Sequence, residues 1–575
     1  MDLDFISAFC YQTVEWVLQV ARAKSLDNRV MDRINNVSSN RVSIPVVNNV
    51  PGKAILNLRG NLSQGCPSSM NWFAIGIDPL LVYLEGRLQG ILIHSLSTPG
   101  PKLKNSRKPE AVEDCYKVYG LADNVKPAVS SIAEFSLVDE AAALFERSSG
   151  CRLHRDPATA KCQVLPLGRW RGTLQQEDIP LQYMRLTTSL AMVGVQLTAC
   201  WMRTRQVNCE ELRSRVQKTV GSWRSGKFNP LVARPYSLNY YCLSKLWFKT
   251  SSLDLRASDV TFLHAKAKSY IYQDLLQKPS ELLLFRPAGE GGLGLQHVQC
   301  KARAHLIATF LQTAANPRFI ASQFHTALYK YHVLEEQEGV PSPGFTPYYK
   351  KDFFDTIKKV HNKSPLNPVH MTISQWYMYL LEENITMVED EEGRRTDRLC
   401  RVEELQPEVD WGRSFSLARL KGLSPSQKSV LFKLLHQLLP TGERVHRLQP
   451  NKSSACSLCR IAPLDTLQHA IFECEANTAA AGAMLRAAQC YSPALSPAGL
   501  LRLEVEAQDP FALPTVVIVA TGIELIWSNR LKSAVTSLAA MRAELEARAG
   551  LFWQARGRRL REAGAIMANI LAIIM

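Results

Sequence analysis

The sequence predicts an α+β fold: a mixed strand–helix region first, then a long helical remainder containing a small cysteine–histidine knuckle. Three observations carry that prediction. Strand-like segments rich in β-branched residues are confined to residues 1–200, where they alternate with helical ones. From Leu190 onward apolar residues recur mostly at helical spacing, interrupted by Gly and Pro turns. At 456–474 three cysteines and a histidine stand in the pattern C-x2-C-x9-H-x4-C.

At 575 residues the chain exceeds what one core supports, so three or four domains are expected. A hydrophobic fraction of 46% excludes disorder for most of the length. The formal net charge of +16 suits a polyanionic partner, nucleic acid being the commonest, with a soluble protein of basic surface as the alternative. The 14 cysteines are scattered rather than arrayed as a disulfide framework. Met1-Asp-Leu-Asp also lacks the basic start of a signal peptide, so a reducing intracellular compartment is expected, nuclear or cytoplasmic. Phe511–Trp527 is the most apolar stretch, but Pro514, Glu524 and its length argue against a bilayer span. The apolar tail 565–575 is shorter still, and no membrane association is expected.

Taken in order, Asp2 to Phe9 reads as a strand running into a helix, and Glu15 to Ile34 as one helix. Val42 to Val50 reads as a strand before the turn Pro51-Gly52, and Trp72 to Leu92 as a helix. The polar, basic segment 95–110 suits a loop, Tyr116 to Val125 a hairpin with a polar tip, and Ala133 to Glu146 a helix. Turns are expected at Gly226, Pro230, Pro235, Gly289–Gly294 and Pro341–Pro347, and a solvated loop at the acidic run Glu389–Glu392. Ser424 as N-cap and Pro425 at the first helical position open a helix to Leu439.

Asp4 at a strand end and Asp123 at a hairpin tip are the kind of carboxylates that can meet around two divalent ions for nucleotidyl transfer. By spacing alone, two acids so far apart are more often surface residues. The flanking residues carry a resemblance. Asp4-Phe-Ile-Ser-Ala-Phe9, Gln64-Gly65-Cys66-Pro67, Leu121-Ala-Asp123-Asn124, Ser149-Gly150 with Lys161, and Leu190-Ala-Met192-Val193-Gly194-Val195 follow in order the motifs of reverse transcriptases of non-LTR (LINE-type) retrotransposons. Trp223, Pro235-Tyr-Ser-Leu, Leu243-Ser-Lys-Leu-Trp247 and Gly291-Gly-Leu-Gly-Leu295 resemble the thumb of these enzymes and the segment after it.

The resemblance implies a partial right-hand polymerase palm over 1–200 with the fingers missing, a helical thumb over 201–330 and a helical connector over 331–455. A zinc-binding domain over 456–500 and basic helices over 501–575 would follow. It implies Asp4 and Asp123 as magnesium ligands, Phe9 as the steric gate under the nucleotide sugar, and Gln64 and Gly65 against the incoming nucleotide. Met192, Val193 and Gly194 would form the primer grip. RNA template, DNA primer and deoxynucleotides are the implied partners. Simple core packing is the alternative for Phe9.

Three positions depart from the pattern. Asn124 replaces the second acid of the catalytic pair, and a neutral amide is a poorer magnesium ligand. Leu121 replaces a Tyr, and Ser63 stands where an Arg is common. In the family the fingers and an endonuclease precede the first catalytic motif, whereas here that motif follows Met1-Asp-Leu, so a truncated, catalytically impaired copy is expected. The alternative is a non-catalytic nucleic-acid-binding remnant with a structural zinc site.

Cys456, Cys459, His469 and Cys474 supply four N/S ligands at structural-zinc spacing, against the alternative of buried free cysteines with an unrelated histidine. His436 and His446 lie nearby but fit no standard spacing. Arg224 to Lys227 and Arg556–Arg561 are dense basic runs, read either as phosphate contacts or as solvated surface.

Overall fold

A computed structural model of the chain describes residues 1–6, 11–38, 41–43, 46–47, 50–51, 56–58, 69–94, 113–121, 124–223, 230–273, 275, 278, 281–314, 351–363, 368–391, 409–505 and 512–554. They form a mixture of many helices and few short strands, broadly the α+β class. Two compact units divide the chain: residues 1–211 with 307–371, and residues 212–306 with 372–575.

In the first unit the extended segment 2–5 runs through the middle. Leu3 bridges Val125 on one side, while Asp2 bridges Gln163 and Phe5 bridges Leu153 on the other, all antiparallel. Alternation along an extended chain sends successive side chains to opposite faces. Leu3 and Phe5 accordingly enter the core, and Asp2 and Asp4 take the other face. The apolar side is covered by helices Val14–Ala23, Ser69–Arg87 and Glu134–Ser149, with Phe145 edge-on to both Phe5 and Trp16 at 5.6 and 6.3 Å.

Several sequence expectations are corrected here. The single helix expected over Glu15–Ile34 is two, Val14–Ala23 and Asn28–Ser38. The first ends because Ser25 takes a left-handed φ of 54°, which no helix interior accommodates. The helix expected over Trp72–Leu92 spans Ser69–Arg87, and a strand, Ile91–His94, follows Gly90 at φ 76°. The strand expected over Val42–Val50 is described as the short pieces Arg41–Ser43, Val46–Val47 and Val50–Pro51. The hairpin near Tyr116 pairs Val118–Leu121 with Asn124–Pro127, with Leu121 opposite Asn124.

The second unit is helical. Ser424 caps Pro425–Leu435 through its hydroxyl and a reciprocal contact with Gln427, though the helix closes at His436, short of the expected Leu439. Glu389 to Glu391 are helical, belonging to Ile373–Glu391 rather than to a loop. Pro235 lies within Ala233–Ser237 rather than at a break, in a first turn where its missing N–H forfeits no helical bond. Helix Ala512–Leu531 is long and apolar enough to cross a membrane by length and composition, and 67% of its most apolar window is buried against neighbouring helices. There Gln427 Nε2 donates to Thr521 Oγ1 at 2.9 Å, both groups being buried.

The glycine-rich turn at 291–294 shows why glycine is required. Gly291 has φ 82°, and a Cβ on it would come within 2.7 Å of the Phe415 ring. Its carbonyl lies 2.8 Å from Nε2 of buried His436, whose pKa burial lowers to about 4. A Cβ at Gly292 would stand 1.9 Å from the Arg286 carbonyl oxygen, backbone that is itself bonded to Gly294. Gly292→Ala is therefore expected to destabilise this unit by about 1–3 kcal/mol. The check is its urea midpoint; an unchanged midpoint would mean that the turn simply shifts aside.

Candidate metal centre and acidic strand

The cysteine–histidine group converges. One ligand atom from each of Cys456, Cys459, His469 and Cys474 lies within 4.8 Å of all the others, with Cys456, His469 and Cys474 buried. Cys456 Sγ is 3.8 Å from Cys474 Sγ, and Cys459 Sγ is 3.5 Å from His469 Nε2. The knuckle is closed by Arg460 N–H donating to the Cys456 carbonyl at 3.1 Å, with Arg460 held at φ 57°. The Cys456 N–H returns to the Ala462 carbonyl at 3.1 Å.

The second pair depends on an unusual turn. Residues five apart on an α-helix point about 140° away from each other. His469–Glu473 is instead a π-helical turn, and the Cys474 N–H donates to the His469 carbonyl at 2.8 Å. That wider turn brings His469 and Cys474 to one side.

Electrostatics fit a metal-binding thiolate set. Burial raises the Cys456 thiol, but donors from the Cys459 and Leu458 amides, His469 and Arg530 bring it below its usual value. The amides of Ala462 and Ile461 lower Cys459. Cys474 is pushed up to about 11, by burial first and then by the other two sulfurs. Crowding three sulfurs and an imidazole is costly without a cation, so the donor set fits a closed four-coordinate ion such as zinc. His436 and His446 lie apart from it: His446 Nδ1 sits 2.6 Å from the Lys452 carbonyl.

Behind the sulfurs lies a buried ion pair. Arg530, from helix Ala512–Leu531, binds the Asp465 carboxylate, and both its terminal nitrogens lie 3.7 Å from Cys456 Sγ. Asp465 Oδ2 also accepts the Gly442 N–H at 2.7 Å. The guanidinium thus ties a thiolate, a carboxylate and a long helix together, offsetting the negative charge of a three-thiolate centre. Arg530→Met leaves Asp465 buried without its partner, at an expected cost of about 3–5 kcal/mol. Metal affinity should fall by roughly 10- to 100-fold. Thermal melting and competition with a chromophoric chelator read the two effects separately.

The acidic strand is the other candidate. Asp2 pairs with Lys126, while burial raises its pKa against that pairing. Asp4 is partly exposed, with Oδ2 3.6 Å from His154 Nε2. The Leu3–Val125 bridge is antiparallel, so continuing its register sets Asp4 opposite Asn124, an exposed residue that opens the strand Asn124–Pro127. Asp123, Phe9, Gln64 and Gly65 lie outside the described residues. Met192, Val193 and Gly194 form the end of a hairpin in which Ser189–Met192 pairs with Val195–Thr198. Val193 at φ 48° and Gly194 at φ 79° make its two-residue turn.

Some functional neighbours escaped the sequence reading. The Asp2–Lys126 pair could have been found from the two-residue period that puts Asp2 with Asp4. Arg530, 74 residues from Cys456, had no local signal. No protein-family model matches this chain, and no curated protein matches it.

Proposed function

We propose that this chain is a reverse-transcriptase-family protein of non-LTR retrotransposon type, impaired in nucleotidyl transfer, with a structural zinc centre. The observation that carries the reading is the antiparallel Leu3–Val125 bridge, whose register, continued by one residue, sets Asp4 opposite Asn124 at the end of a hairpin. A two-metal transfer centre requires carboxylates meeting across such a strand–hairpin pair, and this register would bring Asp4 to the hairpin end that carries Asp123 in the sequence. The ordered motifs from Asp4 to Leu295 support the same reading.

The palm, thumb and primer-grip roles of the corresponding segments belong to this proposal. So do the magnesium roles of Asp4 and Asp123 and the nucleotide contacts of Phe9, Gln64 and Gly65. A second reading, a non-catalytic nucleic-acid-binding remnant, is favoured by Asn124 and by the Lys126 ammonium. That ammonium pairs with Asp2 on the face that Asp4 shares. It places fixed positive charge where divalent ions would compete for carboxylates. Magnesium- or manganese-dependent primer extension on poly(rA)/oligo(dT), wild type beside Asn124→Asp, separates the two.

A further inference from the structure

Residues 233–250 form one continuous helical run, Ala233–Ser237, a π-helical stretch Leu238–Leu243 and Ser244–Thr250. Its inward side is apolar: Leu238, Cys242, Leu243, Leu246 and Trp247 are buried. An outward face is ordinarily charged and polar. Here it carries Tyr236, Tyr240, Tyr241 and Phe248, exposed to 62%, 64%, 58% and 55%, with Lys245 among them. The rings are organised rather than scattered. Tyr236 and Tyr240 stack at 5.5 Å and 20°, and Tyr241 stands edge-on to Trp223 at 6.4 Å and 87°. Trp223, Tyr240, Tyr241, Lys245, Thr219 and Ser237 line an open cleft of about 540 Å³.

Charge selects the occupant. Between Leu212 and Leu253 the sequence contains no Asp or Glu but eight Lys and Arg; Arg234 and Lys249 are buried and Arg213 pairs with Asp259, while Lys218 and, on the aromatic face itself, Lys245 are exposed. A protein-docking patch or a core face needs no such one-sided charge. A polyanion with flat apolar faces meets both features, since bases stack on aromatic rings while phosphates meet the basic residues. A π-helical stretch, which often marks functional positions, sets Tyr240 and Tyr241 outward together.

We propose that this aromatic face is a stacking platform for unpaired bases of single-stranded RNA, with Tyr240 and Tyr241 as principal rings and Lys245 at the neighbouring phosphate. The choice of RNA rests on the functional reading above; the stacking role rests on the geometry alone. Duplex bases are already stacked on one another, so the platform discriminates in favour of single strands.

The test is fluorescence anisotropy with the full chain and labelled oligo(rU) of about 12 nucleotides, within known stacking-site sizes. A blunt RNA duplex and an RNA–DNA primer–template serve as companions. The Tyr240→Ala/Tyr241→Ala double variant is expected to lose about 10- to 100-fold in oligo(rU) affinity. The corresponding double Phe variant should keep it, and duplex affinity should hold in both. Equal oligo(rU) affinity for wild type and the Ala variant overturns the platform. So does an equal loss on the duplex, or a changed oligomeric state with unchanged RNA binding, which would mark a protein interface. Tyrosine-dependent binding of oligo(rU) without any primer–template binding would instead sink the polymerase-family reading and leave the platform standing.

Discussion

Chelation of the zinc that Cys456, Cys459, His469 and Cys474 could hold, or replacement of Cys474 with Ser, is expected to lower the melting temperature of the second unit by on the order of 10 °C. The size follows from what the centre joins. Structural zinc contributes about 10–16 kcal/mol of binding energy in isolated finger peptides. Here part of that is replaced by packing, because Cys456 and Cys474 are buried and Ala470 and Ile471 belong to the main core of the unit. At roughly 2 °C per kcal/mol for a domain of this size, about 5 kcal/mol remaining would give that shift. Arg530 links the centre to helix Ala512–Leu531, because its guanidinium contacts both Cys456 Sγ and the Asp465 carboxylate.

The pH dependence has a definite sign. Cys474 in the metal-free protein holds its proton well above neutral pH, being raised to about 11. Binding must therefore release that proton, and affinity should fall as pH is lowered. Elemental analysis of protein purified without added metal, alongside melting with and without chelator, checks the prediction. Well under one zinc per chain and an unmoved melt would remove the metal from the account.

How much of this was legible depended on sequence distance. The Cys456–Cys459 knuckle was readable because two thiolates on one tight turn are a local fact. The convergence of His469 and Cys474 was only partly so: their spacing is wrong for an α-helix, and the π-helical turn that rescues it leaves no mark in the residue types. The hairpin at 189–198 was reached only through the resemblance of Leu190–Val195 to a primer grip, since apolar spacing from Leu190 onward pointed to helix. The pairing of Leu3 with Val125 is a contact across more than a hundred residues and could be inferred only by resemblance. Lys24 to Asp27 hid the helix break because Ser, Leu and Asp are all tolerated in helices, and only backbone conformation revealed it. The aromatic face was missed for a different reason. Pro235–Leu238 and Leu243–Trp247 entered only through their resemblance to a thumb, and which side of a helix faces outward is decided by its neighbours, not by the run itself.

Asn124→Asp is expected to raise metal-dependent primer extension by about 100-fold or more over wild type, provided the acidic strand is a transfer centre. The argument is electrostatic. Continuing the Leu3–Val125 register sets residue 124 opposite Asp4, so a carboxylate there adds a full negative charge and two hard oxygen ligands on the face Asp4 occupies. Metal-assisted stabilisation of the developing phosphoryl charge supplies several kcal/mol, and each 1.36 kcal/mol is a factor of ten in rate. About 3 kcal/mol recovered gives the hundredfold.

The same substitution has a structural signature independent of turnover. Asn124 is exposed and opens a strand, so Asp at that position should leave the melting temperature nearly unchanged. A second acid beside Asp4 should instead raise divalent-ion affinity, readable by paramagnetic manganese binding. Asp4→Ala in the Asn124→Asp background should abolish both gains. Activity already present in wild type would mean that the amide suffices and Asn124 is no lesion. If neither protein extends a primer although manganese binds the Asp-bearing variant, the metal site is competent but the rest of a polymerase is not, and the chain acts through binding alone. If manganese does not bind either, the Lys126 ammonium already neutralises that face, and Asp2 and Asp4 belong to a structural ion-pair network rather than a transfer centre.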